Sequence, residues 1–145
     1  MQRSLRLAGV LVLVAACEST TAPVVSLGEL SGTWDVASWE RAAAANPALK
    51  ANILADEMSV VLRIAPNGEF LLTVSTPVHA TFAETGTISL RGDTLVYDGQ
   101  NDEAAFRLRF FEHRMTWLAL ETKGYDVNDD GVPEATIDNV ALTRR

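Results

Sequence analysis

The chain has 145 residues, a formal net charge of −7, 48% hydrophobic residues and a single cysteine. That length supports one domain with its own core, while the acidic balance argues against nucleic acid or an anionic lipid surface as the main partner. One cysteine leaves no intrachain disulfide, so the fold must hold by burial, by barrel closure or by metal.

Arg3 and Arg6 precede an apolar run, Leu7 to Val14, that ends in Val14-Ala15-Ala16-Cys17. A short basic start, a brief hydrophobic stretch and small residues at its end make a secretory signal. The run is too short to remain as a membrane-spanning helix. Its last four residues resemble the lipobox of bacterial lipoproteins, which implies cleavage before a lipidated Cys17. The expected organisation is a signal peptide over 1–16, a lipidated cysteine and flexible tether over 17–29, and a domain over 30–145. Loss of residues 1–16 leaves 129 residues and, with two arginines gone, a charge of about −9. The resemblance implies a cell-envelope protein that meets the membrane only through its N-terminal lipid. Glu18, where an aspartate would mark inner-membrane retention, favours the outer membrane in a cell that has both.

From Leu30 onward short alternating runs are separated by turn signals. Leu30 to Trp39 places Leu30, Gly32, Trp34 and Val36 on one face. Met58 to Ala65 groups Val60, Leu62 and Ile64. Pro66-Asn67-Gly68-Glu69 then turns the chain, because Asn-Gly tolerates the positive φ of a tight hairpin. Glu69 to Ser75 returns with Phe70, Leu72 and Val74 together. Glu84 to Leu90, Thr94 to Tyr97, Ala104 to Phe111 and Met115 to Glu121 follow, with Phe106, Leu108 and Phe110 on one side of the third. A last run, Ala135 to Thr143, has its alternation interrupted at Asp138 and Asn139, where a bulge is expected. These eight runs at near-hairpin spacing predict an all-β fold, a small antiparallel up-and-down barrel.

One segment departs from the rhythm. Asn46-Pro47 offers an N-cap with proline at the first helical position, and Leu49 and Ile53 lie four apart. The spacing predicts one short helix, Pro47 to about Glu57, between strands 1 and 2, serving as a cover over the barrel or as a lid at its mouth.

Three features resemble lipocalin-like (calycin) barrels of bacterial lipoproteins: Gly32-Thr33-Trp34 in the first strand, the hairpin Leu62 to Phe70, and the following hairpin through Thr85-Gly86-Thr87-Ile88-Ser89-Leu90 and Gly92-Asp93. The resemblance spans Leu30 to Arg145. It implies that Trp34, with Gly32, plugs the closed end of the barrel, and that a basic residue near the last strand, Arg144 by position, packs over the indole. It also implies a ligand-binding interior, which here would be lined by Phe70, Leu72, Phe106, Leu108 and Phe110. Such bulky side chains can equally fill an eight-stranded barrel, leaving a structural or protein-interaction lipoprotein that meets an envelope partner through its surface.

The sharpest chemical signal is Asp126-Val127-Asn128-Asp129-Asp130-Gly131-Val132-Pro133-Glu134. Oxygen-bearing side chains at alternate positions with glycine at the sixth form the start of a calcium loop. A hard cation that takes six to eight oxygens requires such convergence. Position twelve is Ile137, where an EF-hand carries glutamate, so the loop resembles instead the inter-strand calcium loops of bacterial β-proteins. The expected ligands are Asp126, Asn128, Asp130, Glu134 and the Val132 carbonyl, holding a structural Ca2+; the alternative is an acidic, solvated hairpin loop.

No nucleophile elbow, phosphate loop or His-rich metal spacing is present, and His79 and His113 read as loop residues. The sequence therefore points away from an enzyme and toward a binding module for a small apolar ligand. Trp34 and Trp117 read as core anchors; Trp39, five residues after Trp34, falls on the opposite face, where it would form part of a partner surface or simply cover a barrel end.

Overall fold

The computed structural model describes residues 25–54, 57–78 and 81–145. The signal segment, Cys17 and His79 lie outside the described residues. One helical turn, α1 (Leu27–Leu30), precedes ten strands: β1 (Gly32–Ala43), β2 (Asn46–Asn52), β3 (Ser59–Ile64), β4 (Glu69–Ser75), β5 (Phe82–Arg91), β6 (Thr94–Gly99), β7 (Glu103–Phe111), β8 (Arg114–Ala119), β9 (Lys123–Tyr125) and β10 (Glu134–Arg144).

Eight of these close into an antiparallel barrel. Pairing runs β1-β3-β4-β5-β6-β7-β8-β10, and β10 returns to β1 to complete the ring. Every pairing is antiparallel, from Trp34↔Arg144 to Phe110↔Met115. Closure removes the free edges of these eight strands, which is how a fold without a disulfide protects its ladder. The two remaining strands are flaps: among the described residues β2 pairs only with the far half of β1, and β9 only with the start of β10. They extend one end of the barrel, called here the open end. The other, closed end holds α1, the start of β1, and the β3–β4, β5–β6 and β7–β8 turns.

The segment expected to be a helix, Pro47 to Glu57, forms β2 instead over Asn46–Asn52. Helix propensity of the alanine-rich stretch is a weak preference that cross-strand pairing overrides. Proline is tolerated because β2 is an edge strand with a single neighbour. The helical turn lies before strand 1 and straddles the end of the stretch expected to be a flexible tether, 17–29. Ser26 caps it: its hydroxyl accepts from the Glu29 N–H while the Glu29 carboxylate accepts from the Ser26 N–H at 2.8 Å.

The expected bulge in the last strand is absent, and β10 keeps its register through Asp138 and Asn139. The irregularity lies across from it, in β1, where Val36 pairs Leu142 but Ser38 pairs Ala141. Ala37 is the extra residue. A bulge shifts side-chain parity by one, so Trp34 and Val36 face inward before it, and Trp39, Arg41 and Ala43 after it. Trp39 thus packs against the core, on the same side as Trp34.

The lower half of the barrel is filled. Trp34, Leu62, Ile64, Phe70, Ile88, Leu95, Met115 and Leu142 are all at most 4% exposed. Trp34 and Phe110 meet edge to face at 6.1 Å, and Phe70 lies against Tyr97 at 4.4 Å. Those two rings occupy space that two facing glycines leave free. Gly86 pairs Gly99 across β5 and β6, and a Cβ on Gly86 would fall 2.8 Å from the Phe70 ring and 2.1 Å from the Asp98 carbonyl.

Candidate functional site

Above this packed half the barrel contains a cavity of about 240 Å³ that opens at the β2 and β9 end. The strands bring to it inward-facing residues separated widely in sequence: Val36, Trp39 and Arg41 from β1, Leu72 from β4, Glu84 from β5, Tyr97 from β6, Phe106 from β7, Trp117 from β8 and Asp138 from β10. Trp39, Val140 and Trp117 sit side by side on three neighbouring strands. The Phe106 ring packs on Trp117 at 5.5 Å.

Of the five residues expected to bind ligand, Leu72 and Phe106 line the cavity. Phe70, Leu108 and Phe110 do not; they belong to the packed core and its lower half. Alternation tells which residues point inward, but not how far along the axis they stand. Phe70 pairs Ile64 and Phe110 pairs Met115, both close to the closed-end turns.

The wall is more polar than the sequence reading foresaw. Glu84 is 7% exposed and accepts a hydrogen bond from the Asn101 N–H at 3.0 Å. The Tyr97 phenol is hydrogen-bonded to the Glu84 carboxylate. Burial first, and then that carboxylate, raise the phenol's pKa above the ordinary tyrosine value. At the mouth Arg41 donates to both oxygens of Asp138, at 2.5 and 2.7 Å, and lies 4.9 Å over the Tyr125 ring. The pairing with Asp138 holds the Arg41 pKa above its usual value. This fork also explains why Asp138 can point inward without breaking the strand. The indole N–H groups of Trp39 and Trp117 are buried with no acceptor among the described residues. A signal for part of this set existed in the sequence: Glu84 shares the face of Ile88 in β5, and a carboxylate on an inward face calls for an explanation.

At the closed end Gly32, Trp34 and Arg144 come together. Trp34 is fully buried, and its indole N–H donates to the Leu30 carbonyl at 2.8 Å. The Arg144 guanidinium stands 4.6 Å from the Trp34 ring centroid and donates to the Glu29 carbonyl. Gly32 takes a φ of 137°, a conformation open to glycine.

The acidic loop between β9 and β10 gathers Asp126, Asp130 and Glu134, with carboxylate oxygens within 4.8 Å of one another. The Asp126 carboxylate accepts the N–H groups of Asp130 and Gly131, and Glu134 accepts that of Val127 at 2.9 Å. Asn128 donates to Asp130, and the Val132 N–H donates to Asp130 at 2.9 Å. Gly131 has a φ of 86°, which lets the chain curl around the three acids. Asp129 stays outside the cluster and exposed.

Fold and site together define a closed eight-stranded antiparallel barrel, filled in one half and hollow in the other. No protein-family model and no curated protein matches the chain.

Proposed function

We propose that the chain is a binding module that takes one small ligand, largely apolar in body, through the open end of its barrel. The observation that carries this reading is the 240 Å³ cavity walled by Val36, Trp39, Leu72, Phe106 and Trp117. A buried apolar cavity of about 150 Å³ is enough to hold benzene, so this volume admits a ring with a short substituent. Eight strands are the number at which a barrel can either fill itself or hold one small ligand. The resemblance of the first strand and its hairpins to lipocalin-like domains supports the same reading. So does the N-terminal sequence, which we read as the signal and lipidation site of an envelope lipoprotein anchored through Cys17 and favouring the outer membrane.

Native mass spectrometry of protein purified gently and without chelator tests it. An adduct of small-molecule mass, displaced on denaturation, is the expected result. Protein that arrives bare, and that binds no member of a panel of small aromatic compounds by tryptophan fluorescence, would overturn the proposal.

We further propose that the β9–β10 loop holds Ca2+ as a structural ion, with Asp126, Asn128, Asp130, Glu134 and the Val132 carbonyl as ligands. Three converging carboxylates and a carbonyl-bearing amide suit a hard cation, and a bound ion would relieve their mutual repulsion. Calcium at a hundredfold its Kd is expected to stabilise the protein by about 2.7 kcal/mol. Asp130→Ala is expected to abolish that gain in a thermal melt with and without chelator. An unchanged calcium response in the variant would reject the ligand set.

A further inference from the structure

The cavity's polar groups, together with the distribution of charge along the barrel, carry the reading of the pocket one step further, to the chemical class of its ligand. The arginines Arg63, Arg91, Arg107, Arg109, Arg114 and Arg144 all lie toward the closed end, near the turns where β3, β5, β7 and β10 finish. Among the described residues only Arg41, Lys50 and Lys123 bring positive charge to the open half. Each is already held by a carboxylate: Arg41 by Asp138, Lys50 by Glu40 and Lys123 by Asp102. Among the described residues Glu84, Glu103 and Glu121, which line the cavity, enter none of the ion pairs. A cavity lined by more carboxylates (Glu84, Asp102, Glu103, Glu121 and Asp138) than cations (Arg41 and Lys123) over low-dielectric walls attracts counter-ions and raises their local concentration.

Inside the mouth the surfaces are aromatic. Tyr97, Phe106, Trp39 and Trp117 line the same cavity as Glu84. Aromatic faces attract a desolvated cation, and a buried carboxylate does so more strongly. An anionic ligand has no comparable seat, because the Arg41 guanidinium is already engaged by both oxygens of Asp138.

We propose that the ligand is a small organic cation, an apolar body carrying a protonated amine or quaternary ammonium group, with its charge placed against Glu84 among the aromatic rings. This rests on the binding-module reading, and the test separates the two. Tryptophan emission of the purified protein is titrated with three probes of one shape: 4-phenylbutylamine, 4-phenylbutanol and 4-phenylbutyrate. The amine is expected to bind at least tenfold more tightly than the alcohol, and the carboxylate more weakly than either. Glu84→Gln, which keeps an oxygen for the Asn101 N–H, is expected to weaken the amine about tenfold and to leave the alcohol unchanged. Equal binding of amine and alcohol, or tightest binding of the carboxylate, overturns the cation assignment while leaving a ligand pocket. A Glu84→Gln protein that loses amine and alcohol alike overturns the placement of the charge. Binding of none of the three overturns this inference and the binding-module reading together.

Discussion

Trp34→Ala is expected to destabilise the protein by about 3–5 kcal/mol in urea unfolding, the range for truncating a large buried aromatic. Three separate interactions end with the indole. The ring is fully buried against Phe110, its N–H is the donor to the Leu30 carbonyl, and its face carries the Arg144 guanidinium. Truncation leaves a void at the closed end, a carbonyl without its donor and a guanidinium over nothing. It also unseats α1, since Leu30 is the helical residue that packs into the core. Trp34→Phe separates these effects: it keeps a ring under Arg144 and loses the hydrogen bond, for an expected cost of about 1–3 kcal/mol. A loss below 1 kcal/mol for the alanine variant would mean that Trp34 is not what seals the barrel.

Gly86→Ala is the second large effect, and its cause is the opposite one, too little room. The added methyl would meet the Asp98 carbonyl oxygen at 2.1 Å, the Gly99 Cα at 2.8 Å and the Phe70 ring at 2.8 Å. Two of these atoms are backbone of the neighbouring strand and cannot swing aside. The ladder between β5 and β6 would have to part, or the Phe70–Tyr97 pair lift. Overpacking usually costs 1–3 kcal/mol, and a clash with backbone on two sides places this variant at the upper end, about 3 kcal/mol. Gly124→Ala is the control: its nearest neighbour would be the Pro133 Cβ at 3.8 Å, and a change within about 0.5 kcal/mol is expected. Similar losses at both glycines would show that lost backbone freedom, not space, sets the cost. Gly86→Ala should also reshape the cavity proposed to bind ligand, because Tyr97, whose ring lies against Phe70, forms part of its wall.

The eight barrel strands were legible because each buries one face, and a half-buried strand writes its alternation into the sequence; Glu69–Ser75 was read with its observed bounds. What escaped is what alternation does not encode. β2 is an edge flap mostly exposed to solvent, so its residues carry no inward pattern, and Asn46-Pro47 imitates a helix start. β9 has three residues, all exposed, too few to show any period. The bulge at Ala37 leaves no mark of its own, yet it reverses every later side chain of β1. That one residue moves Trp39 from an outer surface to the cavity wall and turns Arg41 toward Asp138. The acidic loop was legible because ligand spacing is a local property of sequence, and Asp126, Asp130 and Glu134 converge over nine residues. The cavity was not, because it arises from the height of side chains along an axis that only the closed barrel defines.

The chain enters the barrel at α1, and the aperture lies at the other end of the strands. With strands rising about 3.3 Å per residue and tilted in a small barrel, the two are separated by roughly 30 Å. Arg144 and Arg145 finish beside α1 and Thr33, so both ends of the described domain leave from one pole. A molecule held by that pole, whether to a membrane or to a sensor chip, stands upright with its port unobstructed. Neighbouring copies on the same support would all turn that port toward the solvent.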